Sequence, residues 1–176
     1  MNPRALVGLI LLAFLLVPAR AQEEDPVKVD RYLVNLALGD TLDNIQRIYP
    51  PAAEWPASVE PRAHVKRYRI ERAFTKYPAP HTDTMWLGLK HRRLVEIQLV
   101  YTAAYTRTKS VDALANDLAL TYGEPRSGNG KFWWTDGKTV LRVFYAEVPV
   151  LKDGGTGVEL RTSLQLLEAG LFPKGD

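Results

Sequence analysis

Lys131-Phe132-Trp133-Trp134-Thr135-Asp136-Gly137-Lys138-Thr139-Val140-Leu141-Arg142-Val143 is the stretch that decides the fold. Two runs rich in aromatic and β-branched residues flank Asp136-Gly137, a pair suited to a type I′ turn, so the stretch reads as an antiparallel hairpin. A two-residue turn sets Trp134 opposite Thr139 and Phe132 opposite Leu141 on one face, and Trp133 opposite Val140 on the other. Because successive strand residues point to opposite faces, Trp133 and Trp134 cannot enter the same core. One of them either stands as an exposed anchor or lies under a helix or loop.

Upstream, Ser110 caps a helix whose Val111, Leu114, Ala115, Leu118 and Tyr122 form one apolar stripe. Gly123 suits a left-handed carboxy-terminal cap, and Pro125 stops any continuation. Downstream, Gly157 to Thr162 reads as a last strand, and Leu164 to Ala169 as a short helix capped by Ser163 and ended by Gly170.

Earlier in the chain the pattern is similar. Thr84 to Leu89 and Leu94 to Thr102 form a hairpin across Lys90-His91-Arg92-Arg93, with Val95, Ile97, Leu99 and Tyr101 inward and Glu96 and Gln98 on the other side. Val65 to Phe74 is an Arg-rich strand with a thin apolar face, which suits an edge. Residues 50 to 63, with four prolines and Trp55, read as an irregular connector packed through the tryptophan. Before it, Thr41 caps a helix carrying Leu42, Ile45, Ile48 and Tyr49, and Pro50-Pro51 ends it. Leu33 to Leu38 is a strand or a short helical turn. The fold class expected is therefore α+β: an antiparallel sheet covered by two helices, in two tandem helix-plus-three-strand units over 33–102 and 108–172.

The amino terminus carries a different signal. Arg4, an unbroken apolar run from Ala5 to Val17, and Ala19-Arg20-Ala21 make a secretory signal peptide over residues 1–21. The apolar run is shorter than the roughly 20 residues that span a bilayer. The expected product is a single exported domain, 22–176, in the periplasm or outside the cell and without a membrane span. Gln22 follows the cut, and the chain has no Cys, so an acyl anchor and disulfides are both excluded.

Without Arg4 and Arg20 the count is 21 basic against 20 acidic residues, so the chain as a whole is not strongly basic. The charge is uneven: residues 62–93 hold nine basic and two acidic groups. Arg62, Lys66, Arg67, Arg69, Arg72 and Lys76 make either a patch for an anionic lipid surface, an envelope polymer or an acidic protein, or a solvated strand face.

Gly39-Asp40-Thr41 with Ile45, Tyr49 and Pro50, and Tyr122-Gly123-Glu124-Pro125 at the second helix end, resemble the helix motif of the small outer-membrane-assembly lipoproteins related to BamE. They are also similar to the tandem β-lactamase-inhibitor-like fold. The resemblance implies helices packed on an antiparallel sheet and protein binding in the cell envelope. Pro50 stands where that motif has Gly, the second helix is about a turn longer, and the lipobox Cys is missing, so outer-membrane anchoring does not carry over.

Chemistry-bearing residues are sparse. His64, His81 and His91 have no metal-pair spacing, and Ser58, Ser110, Ser127 and Ser163 lie in no nucleophile elbow. Glu71, Asp83, Glu96 and Asp136 pair for glycoside chemistry only if the fold joins two of them. Neither Gly128-Asn129-Gly130 nor Gly154-Gly155-Thr156-Gly157 opens a helix, as a phosphate cradle requires. The expected function is a non-catalytic binding module with no cofactor, metal or nucleic acid. Its expected surface combines Arg67, Arg69 and Arg72 with Trp133 and Trp134. The alternatives are an envelope hydrolase with a carboxylate pair and a small-ligand carrier.

Overall fold

A computed structural model describes residues 28–60, 64–152 and 155–171. Residues 1–21, expected to be a signal peptide, and Arg62 lie outside the described residues. The chain begins with a small hairpin, β1 (Tyr32–Leu33) and β2 (Leu36–Ala37), followed by helix α1 (Leu42–Ile48). Strands β3 (Ala57–Glu60), β4 (Val65–Glu71), β5 (Thr82–Lys90) and β6 (Arg93–Tyr101) form a meander, with a 3-10 turn at Arg72–Phe74. Helices α2 (Ala103–Thr108) and α3 (Val111–Tyr122) precede a second meander of β7 (Arg126–Gly128), β8 (Lys131–Thr135), β9 (Thr139–Lys152) and β10 (Gly155–Glu168). The two meanders join into one eight-stranded antiparallel sheet of order β3-β4-β5-β6-β10-β9-β8-β7.

This overturns the α+β expectation. Strand makes up 51% of the structure, and each meander has four strands, not three. Nor do two helices cover the sheet. Eight strands span about 34 Å, whereas the 12 residues of α3 extend about 18 Å and α1 has only seven residues. Ile45, Val111, Leu114 and Ala115 of the helices share one core with Leu87, Ile97, Leu99, Leu141, Val143, Leu164 and Leu166 of the sheet. Val29, Leu36, Leu38, Trp55 and Ala79 fill the rest of that layer from non-helical segments.

The caps expected for α1 and α3 form. Thr41 Oγ1 accepts from Asn44 N at 3.3 Å, Ser110 Oγ accepts from Ala113 N at 3.2 Å, and Gly123 closes α3 at φ +73°. Trp55 is buried and donates from Nε1 to the Phe74 carbonyl at 2.9 Å, which anchors the connector. That connector also contains β3, an edge strand too exposed to show an apolar alternation.

Residues 164–168, expected to be helical, continue β10. Leu164 and Leu166 face the core while Ser163, Gln165 and Leu167 face the other side, and β6 pairs with all five. A central strand buried on both faces loses the alternation that separates strand from helix.

The β8–β9 hairpin forms in a different register. Thr135 pairs with Val140 and Trp134 with Leu141, because Asp136 Oδ1 accepts from Lys138 N and Thr139 N and moves the turn one residue along the chain. Each partner shifts by two residues, so every side chain keeps its face.

Candidate binding face and cleft

Following the register across the sheet builds the face that the helices leave alone. Directly paired antiparallel residues share a face, so the row Arg69, Trp86, Gln98, Gln165, Arg142, Trp133 and Arg126 crosses seven strands. A neighbouring row carries Glu71, Thr84, Val100, Ser163, Phe144 and Lys131. The row on the other side carries Arg67, Gly88, Glu96, Leu167 and Val140. Trp86 and Trp133 stand four strands apart, about 19 Å.

The centre of this face is a buried polar network. Glu96 is fully buried, and its Oε1 takes the Arg67 guanidinium at 2.7 Å and the Gln165 amide at 2.8 Å. Gln98 accepts from Arg67 at 3.3 Å and donates to Ser163 Oγ, which donates to the Leu99 carbonyl at 2.9 Å. Gly88 makes room for the carboxylate. A Cβ there would fall 2.8 Å from Glu96 Oε2 and 2.9 Å from Val65 Cγ1.

The arginines of β4 are largely committed within the fold. Arg67 pairs with Glu96, Arg69 pairs with Glu71 at 2.9 Å, and both guanidinium groups lie within 6 Å of the Trp86 ring. Arg67, Arg69 and Trp133 share the helix-free face. The other two expected residues do not join them. Trp134 is buried on the helix side, donating from Nε1 to the Gly123 carbonyl at 2.7 Å with Tyr122 6.2 Å away. Arg72 sits in the 3-10 turn beyond β4, beside Pro78 and Asp83. Trp133 is half-buried, with Arg126 and Arg142 beside it in its row and the Lys131–Phe144 pair in the next. Phe144 was legible as an aromatic candidate, but Arg126, Arg142 and Lys131 escaped the sequence reading, because their grouping around Trp133 depends on strand register. The alternation of Lys131, Trp133 and Thr135 was the available signal.

Of the carboxylates named for hydrolysis, Glu71 and Asp83 line one small pocket beside Arg72. Glu71 and Glu96 are each held by an arginine. Asp136 belongs to its turn. Although partial burial raises its pKa, the backbone N–H groups of Thr139 and Lys138 outweigh that effect and hold the carboxyl below the usual range. Among the described residues, no group of three or more His, Asp or Glu is placed to hold a metal, and no helix is long and apolar enough to cross a membrane.

A second feature lies on the helix side of β4, where Lys66 and Tyr68 alternate with Arg67 and Arg69. Gly39 N donates to the Leu94 carbonyl at 2.7 Å, and Leu94 N to the Asp40 carbonyl at 2.8 Å. These bonds fix the start of α1 beside the β5–β6 turn and leave a cleft of about 780 Å³ between α1, β3, β4 and that turn. Lys66, His64, His91, Arg92 and Arg93 line it, with Asp43 the one acidic lining residue among the described residues. Leu42, Val59, Tyr68 and Leu89 supply apolar wall.

No family model, curated protein or solved structure matches this chain.

Proposed function

We propose that this chain is an exported, non-catalytic binding module whose helix-free sheet face holds an extended anionic polymer of the cell envelope, centred on Trp133. The leader-like residues 1–21 motivate export. The observation that carries the binding reading is the cross-strand row in which Arg142 and Arg126 flank Trp133. A half-exposed indole offers a planar surface for stacking, and the exposed Arg126 guanidinium beside it supplies charge and hydrogen-bond donors to carboxylate or phosphate groups. The row runs perpendicular to the strands, so a long ligand can follow it from Trp133 toward Trp86. Arg67 and Arg69 act mainly in holding Glu96, Glu71 and Trp86 in place.

Affinity electrophoresis tests the reading. Polygalacturonate in the gel retards the protein, neutral dextran does not, and Trp133→Ala with Arg126→Glu abolishes the retardation. Equal mobility in the two gels, or unchanged retardation of the variant, defeats it.

A protein partner is the second reading, favoured by one observation. Beyond Phe144 and Ser163, strands β9 and β10 pair only with each other and form a two-stranded arm. Leu151 (93% exposed), Val158 and Leu160 (both above 50%) lie on one face of that arm. Apolar side chains of that exposure on a projecting hairpin suit a protein contact. Cross-linking in the native envelope separates the readings: Leu151→Ser with Leu160→Ser removes a partner that Trp133→Ala retains.

A further inference from the structure

We infer that the cleft between α1 and the β5–β6 turn binds a small amphiphilic organic anion: one acidic headgroup on an apolar body. The site is independent of the polymer-binding face, since Lys66 and Tyr68 lie on the opposite side of β4 from Arg67 and Arg69. Its volume, about 780 Å³, falls in the range of small-molecule sites. Among the described lining residues, Lys66, Arg92 and Arg93, the last also donating to the Gly39 carbonyl at 3.1 Å, stand against one carboxylate, Asp43, and select a negative headgroup. Leu42, Val59, Tyr68 and Leu89 offer an apolar body somewhere to rest.

The turn itself gives the second, independent argument. Lys90 pairs with Arg93, so His91 and Arg92 are the two central residues of a tight hairpin, at φ +48° and +63°. Two positive φ values mark a type I′ turn, for which Asn-Gly is the favoured pair. The same chain uses that pair elsewhere: Gly128 pairs with Lys131, and Asn129 and Gly130 between them have φ +50° and +70°. A side chain such as His or Arg is unfavourable in the left-handed region. Val34, also left-handed at φ +46°, recovers the cost by packing on the core and by the bond from Tyr49 Oη to its carbonyl at 2.6 Å. His91 and Arg92 are exposed and have no such packing, yet both line the cleft. His64, at φ +52°, is a third left-handed residue on the same wall. Strained backbone kept for the sake of side chains is a mark of a binding site.

Amide chemical-shift titration of the full chain tests the site, with sodium decanoate as probe. Decanoate binds saturably and shifts the Lys66, Tyr68 and Leu89 amides. Inorganic phosphate, a headgroup without a body, binds on the order of tenfold more weakly, and decyltrimethylammonium, the same body with the opposite charge, does not bind. The decisive variant is His91→Asn with Arg92→Gly. Thermal unfolding of this variant rises by about 2–4 °C while decanoate affinity falls about tenfold. Lys66→Gln, away from the turn, lowers affinity without raising the unfolding temperature. Wild-type affinity in the double variant overturns the inference, as does a fall in its unfolding temperature, which would make the side chains structural. Equal binding of decyltrimethylammonium, or no saturable decanoate binding, also overturns it. Binding only to phosphatidylglycerol vesicles, without saturable decanoate binding, reassigns the cations to a lipid surface and overturns it as well.

Discussion

On the side of the sheet where α1 and α3 pack, Leu87, Ile97, Leu141, Leu164 and Leu166 are buried against one another. On the opposite side, three of the same strands, β5, β6 and β10, bury Thr84, Glu96, Gln98, Ser163 and Gln165. Burial is comparable on the two sides, but its physical basis differs. Apolar side chains gain by leaving water whatever their neighbours' orientation. A buried carboxylate or amide is tolerated only with partners in place. The apolar side therefore gains stability with little regard to orientation, whereas the polar groups of the other side, set among the buried Val100 and Leu167, depend on exact pairing and are sensitive to loss of a single partner.

Four variants sharpen that contrast. Ile97→Ala, at a fully buried site of the apolar side, costs about 4 kcal/mol in denaturant unfolding; a cost below about 1 kcal/mol would mean that this layer is loosely packed. Arg67→Ala strands Glu96 in the interior and costs about 3 kcal/mol, the low end for a buried pair because Arg67 is itself 30% exposed. Joint replacement, Arg67→Met with Glu96→Leu, restores most of that loss if pairing is what matters, and deepens it if the carboxylate has a further role. Asp136→Ala has the smallest effect, about 1 kcal/mol from the lost turn bonds to Lys138 and Thr139. Its pH dependence has a definite sign. The folded carboxyl titrates below its usual range, so its contribution is complete at neutral pH. That contribution fades as the pH falls from about 4 through the lowered folded value. The wild-type advantage over the alanine variant narrows across that window.

The sequence made the apolar side legible and left much of the polar side hidden. Alternation in Ile97, Leu99 and Tyr101 revealed the inward face of β6, and Thr41, Ser110 and Gly123 marked helix ends by local chemistry. Glu96 and Gln98 read as outward and polar because nothing near them in the chain announces that Ser163, Gln165 and Leu167 will lie alongside. Leu94 takes the core position expected of Val95, since a bulge opposite Gly88–Leu89 slips the pairing by one residue. For the candidate site, Trp133 was identifiable from its own strand, whereas Arg126 and Arg142 required the register. Arg67 and Arg69 were visible as charges, but their partners were not. His91 and Arg92 were read simply as part of the connection between β5 and β6, because a φ angle is not written in composition.

The seam between β6 and β10 also governs how the chain reaches this structure. Within each meander, neighbouring strands follow one another closely in the chain, the longest connection being residues 72–81 between β4 and β5, and their hairpins can close quickly. Across the seam, Gln98 meets Ser163, 65 residues further along. Closing so long a loop costs entropy before the contact is rewarded, and the groups waiting on each side are Glu96, Gln98 and Gln165, which must find one another in one register. The two halves can thus form before they join, and the step expected to be slow is their union along a seam that sets Glu96, Gln98 and Gln165 on one face and Ile97, Leu99, Leu164 and Leu166 on the other.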